Sequence, residues 1–224
     1  MARLALVTGA AKRIGRAIAM DLASHGWDIV VHYNRSAEEA KTLANDIQAM
    51  GQNAFLAEID LANGALADQL IPALVKELGP LNALVNNAAL FEPDEQDPDG
   101  SRHQAINVDA PRLLSKSYRN NLPAKAKGVI INILDATPLP PSFNAYGRSK
   151  AALKEMTLNM ARSFAPSLRV NGVAPMYVLP SPRQTEESFR AMAKGRLALP
   201  EDVASAVRKL IEMPDSTGLI VTVG

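Results

Sequence analysis

The chain has 224 residues, and its 24 lysines and arginines nearly balance 23 aspartates and glutamates. At a net charge of +1 no basic field marks it for nucleic acid. No apolar run approaches the roughly 20 residues that span a bilayer, so no membrane partner is expected. The absence of cysteine rules out disulfides and thiolate metal sites and agrees with a reducing, cytoplasmic setting; no metal is expected.

Taken in chain order, apolar runs of strand length lie at 4–8, 28–33, 53–59, 82–88, 128–134, 168–174 and 218–223. Between the first four fall stretches of helical period at 15–26, 36–51 and 64–79, and Gly26, Gly51 and Gly79 close them as glycines past a helix end do. This alternation predicts parallel βαβ units in one domain spanning 1–224: an α/β, doubly wound, seven-stranded sheet with helices on both faces. Two segments break the rhythm: the acidic, turn-rich 91–101 and the proline-bearing 176–188. Both follow strands, on the carboxyl edge where such sheets bind ligands.

The first turn, "TGAAKRIG" (8–15), joins a strand to a helix whose free N–H groups and positive dipole end favour a pyrophosphate. Thr8 and the small Ala10 and Ala11 allow close backbone approach, but Arg13 stands where a further glycine is expected. In "YGRSK", Tyr146 and Lys150 are four apart and share a helix face, a spacing that predicts a phenol with its pKa lowered by the lysine and ready for proton exchange.

Together these motifs resemble the short-chain dehydrogenase/reductases, and the pattern is most similar to the pteridine reductases. "TGAAKRIG" resembles the family's TGxxxGxG loop, which implies cofactor contacts from Gly9, Lys12, Arg13, Ile14 and Gly15. "LVNNAA" (84–89) resembles its Asn-Asn-Ala-Gly motif, with Asn87, Ala88 and Ala89 lining the cofactor and Asn86 partly structural. Asp60 in "EIDLA" matches the residue that contacts the adenine ring, and Pro175 ends the sixth strand beside the nicotinamide.

An NAD-selecting fold carries an acidic residue at the end of the second strand. "HYNRS" offers His32, Asn34, Arg35 and Ser36 instead, and with Arg13 and Lys12 these form either a 2′-phosphate pocket or a patch of solvated charge. The first reading implies NADP(H). The resemblance also implies that Asn107 in "INVDAP" holds a water against Lys150 and extends a proton relay.

The departures are as informative. Asp135 stands where the family has serine, either as a turn residue or as a second polar group beside Tyr146. Phe91 is either a packed aromatic or the stacking partner of a pterin ring. Met176 replaces a glycine after Pro175 and is expected on the substrate side, and the lid over 178–195 is shorter than usual. The resemblance therefore implies an NADPH-dependent reductase of a C=N or C=O bond, acting on a small molecule such as a dihydropterin and assembling as a homotetramer. A general carbonyl or 3-oxoacyl reductase, or an NADP-binding scaffold with little catalysis, are the alternatives.

Overall fold

The computed structural model describes residues 3–180, 185–195 and 197–224. Among these, seven strands form one parallel sheet in the order β3-β2-β1-β4-β5-β6-β7. They are β1 (Arg3–Val7), β2 (Trp27–Tyr33), β3 (Ala54–Glu58), β4 (Ala83–Asn86), β5 (Gly128–Ile133), β6 (Leu168–Pro175) and β7 (Ile220–Val223). The central strands are buried on both faces, so they read as continuous apolar runs. The edge strands β3 and β7 are partly open.

Alternation along β1 shows how one strand serves two cores. Ala5 and Val7 pack on the face covered by α1 (Arg13–Ser24), α2 (Ala37–Ala49) and a C-terminal helix over Pro200–Glu212, while Leu4 and Leu6 face the opposite layer. That layer holds α3 (Gly64–Leu78), α4 (Ser101–Gln104) with a π-turn over Ala105–Asp109, α5 (Ala110–Asn120) and α6 (Asn144–Phe164). After β6 come α7 (Glu186–Ala193) and the Pro200–Glu212 helix, α8.

The three helix-ending glycines are all left-handed: Gly26 at +82°, Gly51 at +85° and Gly79 at +91°. Pro72 sits inside α3, where it has no N–H for the carbonyl of Asp68; the Ser117 hydroxyl on α5 donates to that oxygen at 3.2 Å. Among the described residues no helix is long and apolar enough to cross a membrane.

The chain leaves one half of the sheet at β3 and enters the other at β4, so the strand order reverses beside β1. Loops after β1 and β4 part there and leave a crevice at the carboxyl ends of the strands.

Candidate active site

A cleft of about 1040 Å³ occupies that crevice. Its first wall is the β1–α1 turn, which is flattened against the end of β4. The Thr8 hydroxyl oxygen accepts from the N–H groups of Asn87 (2.9 Å) and Ala88 (3.0 Å), and the Asn87 amide donates to the carbonyls of Thr8 and Gly9. Gly9 is left-handed at +61°, and a Cβ there would lie 3.0 Å from the Ala88 backbone. A Cβ on Gly15 would overlap the Gly9 carbonyl, so helix and turn can cross this closely only as glycines.

His32 supports the turn from behind. Its Nδ1 accepts the Gly9 N–H at 3.0 Å, which leaves Nε2–H to donate to the Ile59 carbonyl at 3.1 Å. Burial lowers its pKa to about 4, against smaller opposing effects of Ile59 and Asp60, so it is neutral near pH 7. His32 lines the cleft as a brace and brings no charge to a phosphate.

Lys12 and Arg13 both line the cleft beside Asn34, and each has a partner from a neighbouring segment. Lys12 pairs with Glu39 of α2 at 2.6 Å. Arg13, left-handed at +55°, donates to the carbonyls of Pro180 (3.0 Å) and Leu179 (3.5 Å) beyond β6, so its guanidinium joins the nucleotide turn to the opposite rim. A non-glycine residue in that conformation costs roughly 1–2 kcal/mol, offset here by the bridging bonds. Arg35 is exposed and meets no carboxylate among the described residues. Asn34 lines the cleft next to it, and the backbone carbonyl of Ser36 accepts the Ala40 N–H to start α2. Asp60 holds the Ala62 N–H at 3.0 Å and borders the same end of the cleft; Ile14, Ala89 and Pro175 also line it.

At the other end, Asp135 combines the two roles read for it. Its Oδ1 accepts the Thr137 N–H at 2.6 Å, an Asx turn, while Oδ2 accepts the Tyr146 hydroxyl at 2.5 Å. Burial and the Asp135 carboxylate push the Tyr146 pKa well above its usual 10.0. The expected lowering by lysine is therefore overturned. Lys150 Nζ lies 5.7 Å from the centre of the Tyr146 ring and donates to the Ile133 carbonyl at 2.8 Å, whereas the Asp135 carboxylate is hydrogen-bonded directly to the hydroxyl and dominates there. Burial brings Lys150 itself down to about 8, with Asp135 acting in the opposite direction.

Asn107 sits in the π-turn, a form that recurs at functional sites. Its amide accepts from Leu90 N–H (2.7 Å) and donates to the Leu90 carbonyl (3.0 Å) and the Ser149 hydroxyl (2.9 Å). Its bonds fix the residue before Phe91. The Phe91 ring stacks on Phe143 at 4.6 Å and meets Tyr146 edge-on at 4.7 Å. Met176 does not line the cleft: it packs beside Tyr177 and Phe189, while Tyr177, left-handed at +45°, and Val178 face the opening. The expected lid falls partly on residues 181–184, which lie outside the described residues.

Phe143 and Tyr177 line the cleft, while Asp94 and the buried His103–Asp97 pair support it from outside the lining; none of them was singled out from the sequence. Phe143 had a usable signal, being three residues before Tyr146. Asp94 had only its place in an acidic loop. Its carboxylate accepts the N–H groups of Asn144 (3.1 Å) and Ala145 (2.9 Å), so it caps the helix that carries Tyr146 from 50 residues away.

The family model for short chain dehydrogenases matches residues 3–191. In three dimensions the chain is similar to FolM alternative dihydrofolate reductase 1 from Brucella canis, a structure complexed with NADP. The two are 35% identical with a TM-score of 0.91, over 99% of this chain and 92% of that one. It is 31% identical to pteridine reductase 1 of Leishmania tarentolae over 84% of this chain and 82% of the relative. A 3-oxoacyl-[acyl-carrier-protein] reductase of Synechocystis is 29% identical over 95% and 90%. With the sheet order, the glycine turn and the Tyr146–Lys150 spacing in place, the chain belongs to the short chain dehydrogenase family of NAD(P)-using oxidoreductases.

Proposed function

We propose that the protein is an NADPH-dependent reductase of a C=N or C=O bond, with a dihydropterin as the favoured substrate. The observation that carries this reading is the Tyr146 hydroxyl held at 2.5 Å on Asp135 beneath the Phe91 and Phe143 rings. A protonated phenol, a carboxylate and a flat apolar wall form a complementary site for a planar ring that carries its own N–H groups. The names of two similar proteins, a pteridine reductase and an alternative dihydrofolate reductase, support the same class.

The residues at the other end fit a dinucleotide. Among the described residues no side chain caps the first turn of α1, so its N–H groups are available to an anion. The glycines leave room for close approach, and exposed Arg35 beside Asn34 suits a 2′-phosphate. Gly9, Ile14, Gly15, Asn87, Ala88, Ala89, Asp60 and Pro175 would line the cofactor, and Lys150 would reach its ribose. When bound, NADPH supplies the hydride.

The chain's own groups provide the rest. Tyr146 is kept protonated by burial and by Asp135, so it is a general acid, giving its proton to the nitrogen or oxygen that becomes negative. Lys150, within 5.7 Å of that ring, stabilises the phenolate left behind. Asp135 orients the hydroxyl and accepts a ring N–H of the substrate. Asn107 holds the backbone under Phe91. The same reading includes a cytoplasmic homotetramer built through α5 and α6, with light scattering as its check.

Dihydrobiopterin, a 3-oxoacyl thioester and simple ketones, each offered with NADPH, separate the candidates. Turnover of the pterin is the expected outcome; good ketone or thioester reduction without any pterin turnover replaces it with the carbonyl reductase. Tyr146→Phe should lower turnover about 10²- to 10⁴-fold, the range for loss of a general acid, with NADPH affinity retained. A wild-type protein that binds NADPH yet reduces nothing would be the scaffold.

A further inference from the structure

His103 and Asp97 form a buried pair that the proposed chemistry leaves unused. His103 is fully buried and Asp97 is 2% exposed. Nδ1 of His103 is 2.6 Å from Asp97 Oδ2, and the same carboxylate accepts the backbone N–H groups of His103 (2.9 Å) and Arg102 (3.2 Å). Those donors overcome the opposing effect of burial and keep Asp97 below its usual range. An ionised Asp97 requires Nδ1 to carry the proton, so Nε2 is a lone-pair acceptor, and it takes the Glu92 N–H at a long 3.5 Å. With both nitrogens engaged inside the protein, His103 has no proton to offer a substrate.

The placement of those bonds defines a role. Glu92 follows Phe91, and Leu90 before it is held at both N–H and carbonyl by Asn107. The backbone of Phe91 is thus clamped on each side, although 43% of its surface stays open. The His103 ring also lies edge-on to Tyr146 at 6.2 Å, the same kind of contact that Phe91 makes with it at 4.7 Å. Burying an ionised carboxylate and its imidazole partner beside an apolar wall is costly, and packed hydrophobic residues would fill the space at less expense. What the polar pair adds is one fixed geometry.

We propose that His103, oriented by Asp97, is a specificity-determining positioning residue that sets the Phe91 ring against Tyr146 and so favours flat, ring-bearing substrates. The inference deepens the reductase reading and rests on it for the site concerned.

The test pairs two measurements on the full chain. Amide exchange reads the clamp itself: Glu92 N–H is protected in the wild type and exchanges faster in His103→Leu. Steady-state kinetics reads its consequence: KM for a ring-bearing substrate rises on the order of fivefold, as loss of one hydrogen bond implies, with kcat and the KM of an acyclic ketone unchanged. Should His103→Leu fail to fold, two polar variants make the same distinction. His103→Gln retains an acceptor near the Nε2 position and should keep the wild-type KM. His103→Asn retains only the bond to Asp97 and should behave as the leucine was expected to.

Equal KM changes for both substrates, unmoved Glu92 exchange, or a loss of kcat with a shifted pH profile would each overturn the positioning role. Failure of dihydropterin turnover alone would overturn the substrate reading only. An aryl ketone then serves as the ring-bearing probe, and the exchange measurement needs no substrate.

Discussion

The two ends of the cleft are constructed differently. The nucleotide end is made of backbone: a turn between β1 and α1, pressed on β4 by Thr8 and Asn87 and braced by His32. The other end, proposed above as the substrate end, is made of side chains on irregular segments that hold one another, Asp94 on α6, Asp97 on His103, Asn107 on Leu90 and Asp135 on Tyr146. A backbone site follows from the sheet order and tolerates many side chains. A side-chain site depends on each partner being present, which is why one fold can serve many substrates.

Arg13 spans both ends. Its position belongs to the nucleotide turn, yet its guanidinium bonds the carbonyls of Leu179 and Pro180. The residue that breaks the glycine pattern thus ties the nucleotide turn to the opposite rim of the cleft at the cost of a left-handed backbone.

Removing the Lys150 ammonium should have the largest effect. Lys150→Met removes the cation that supports the Tyr146 phenolate, and turnover should fall at least about 10²-fold. Stability should move the other way. With its folded pKa lowered from 10.5 to about 8, the buried ammonium disfavours the native state in full below pH 8, and that penalty fades as pH rises toward 10.5. Denaturation at pH 7 should therefore show the variant more stable by up to about 3 kcal/mol, and the gain should vanish above pH 10.5. In the wild type, activity should decline above pH 8 as Lys150 loses its proton. Asp135→Asn should move that decline to lower pH, because Asp135 raises the Lys150 pKa.

A smaller effect sharpens the nucleotide end. Arg35→Ala should weaken NADPH about tenfold while leaving NADH unchanged, the expected value of one charge-assisted phosphate contact. Titration with both cofactors checks it, and equal losses would return Arg35 to the solvated surface. The smallest is at the substrate end: Asp94→Ala removes the cap from α6 and should cost about 1 kcal/mol in thermal unfolding. NADPH affinity should not change, since the cap holds the Tyr146 end of the helix.

Which of these residues could be read from the chain depends on how far apart their partners lie. The strands, the glycine-ended helices and the Tyr146–Lys150 spacing are local patterns, legible because the periods of 2 and 3.6 residues act between near neighbours. His32 was legible as a cleft residue but not as a brace, since its partners are Gly9 and Ile59, 23 and 27 residues away. Asp94 was opaque because an exposed acidic loop and a helix cap 50 residues distant have the same composition. The direction of the Tyr146 pKa was misread for a related reason: the lysine four residues along is visible in sequence, whereas the carboxylate 11 residues upstream reaches the hydroxyl only through a folded loop.

By itself the sequence determined the sheet, its two covered faces and the turn for a dinucleotide, because hydrophobic period and glycine placement are properties of short stretches of chain. Only the tertiary structure decided where Arg13 points, that Asp135 outweighs Lys150 at the phenol, and that His103 is held behind Phe91. Those outcomes rest on burial and on angstrom-scale distances between distant segments, and both arise only once the loops close over the sheet.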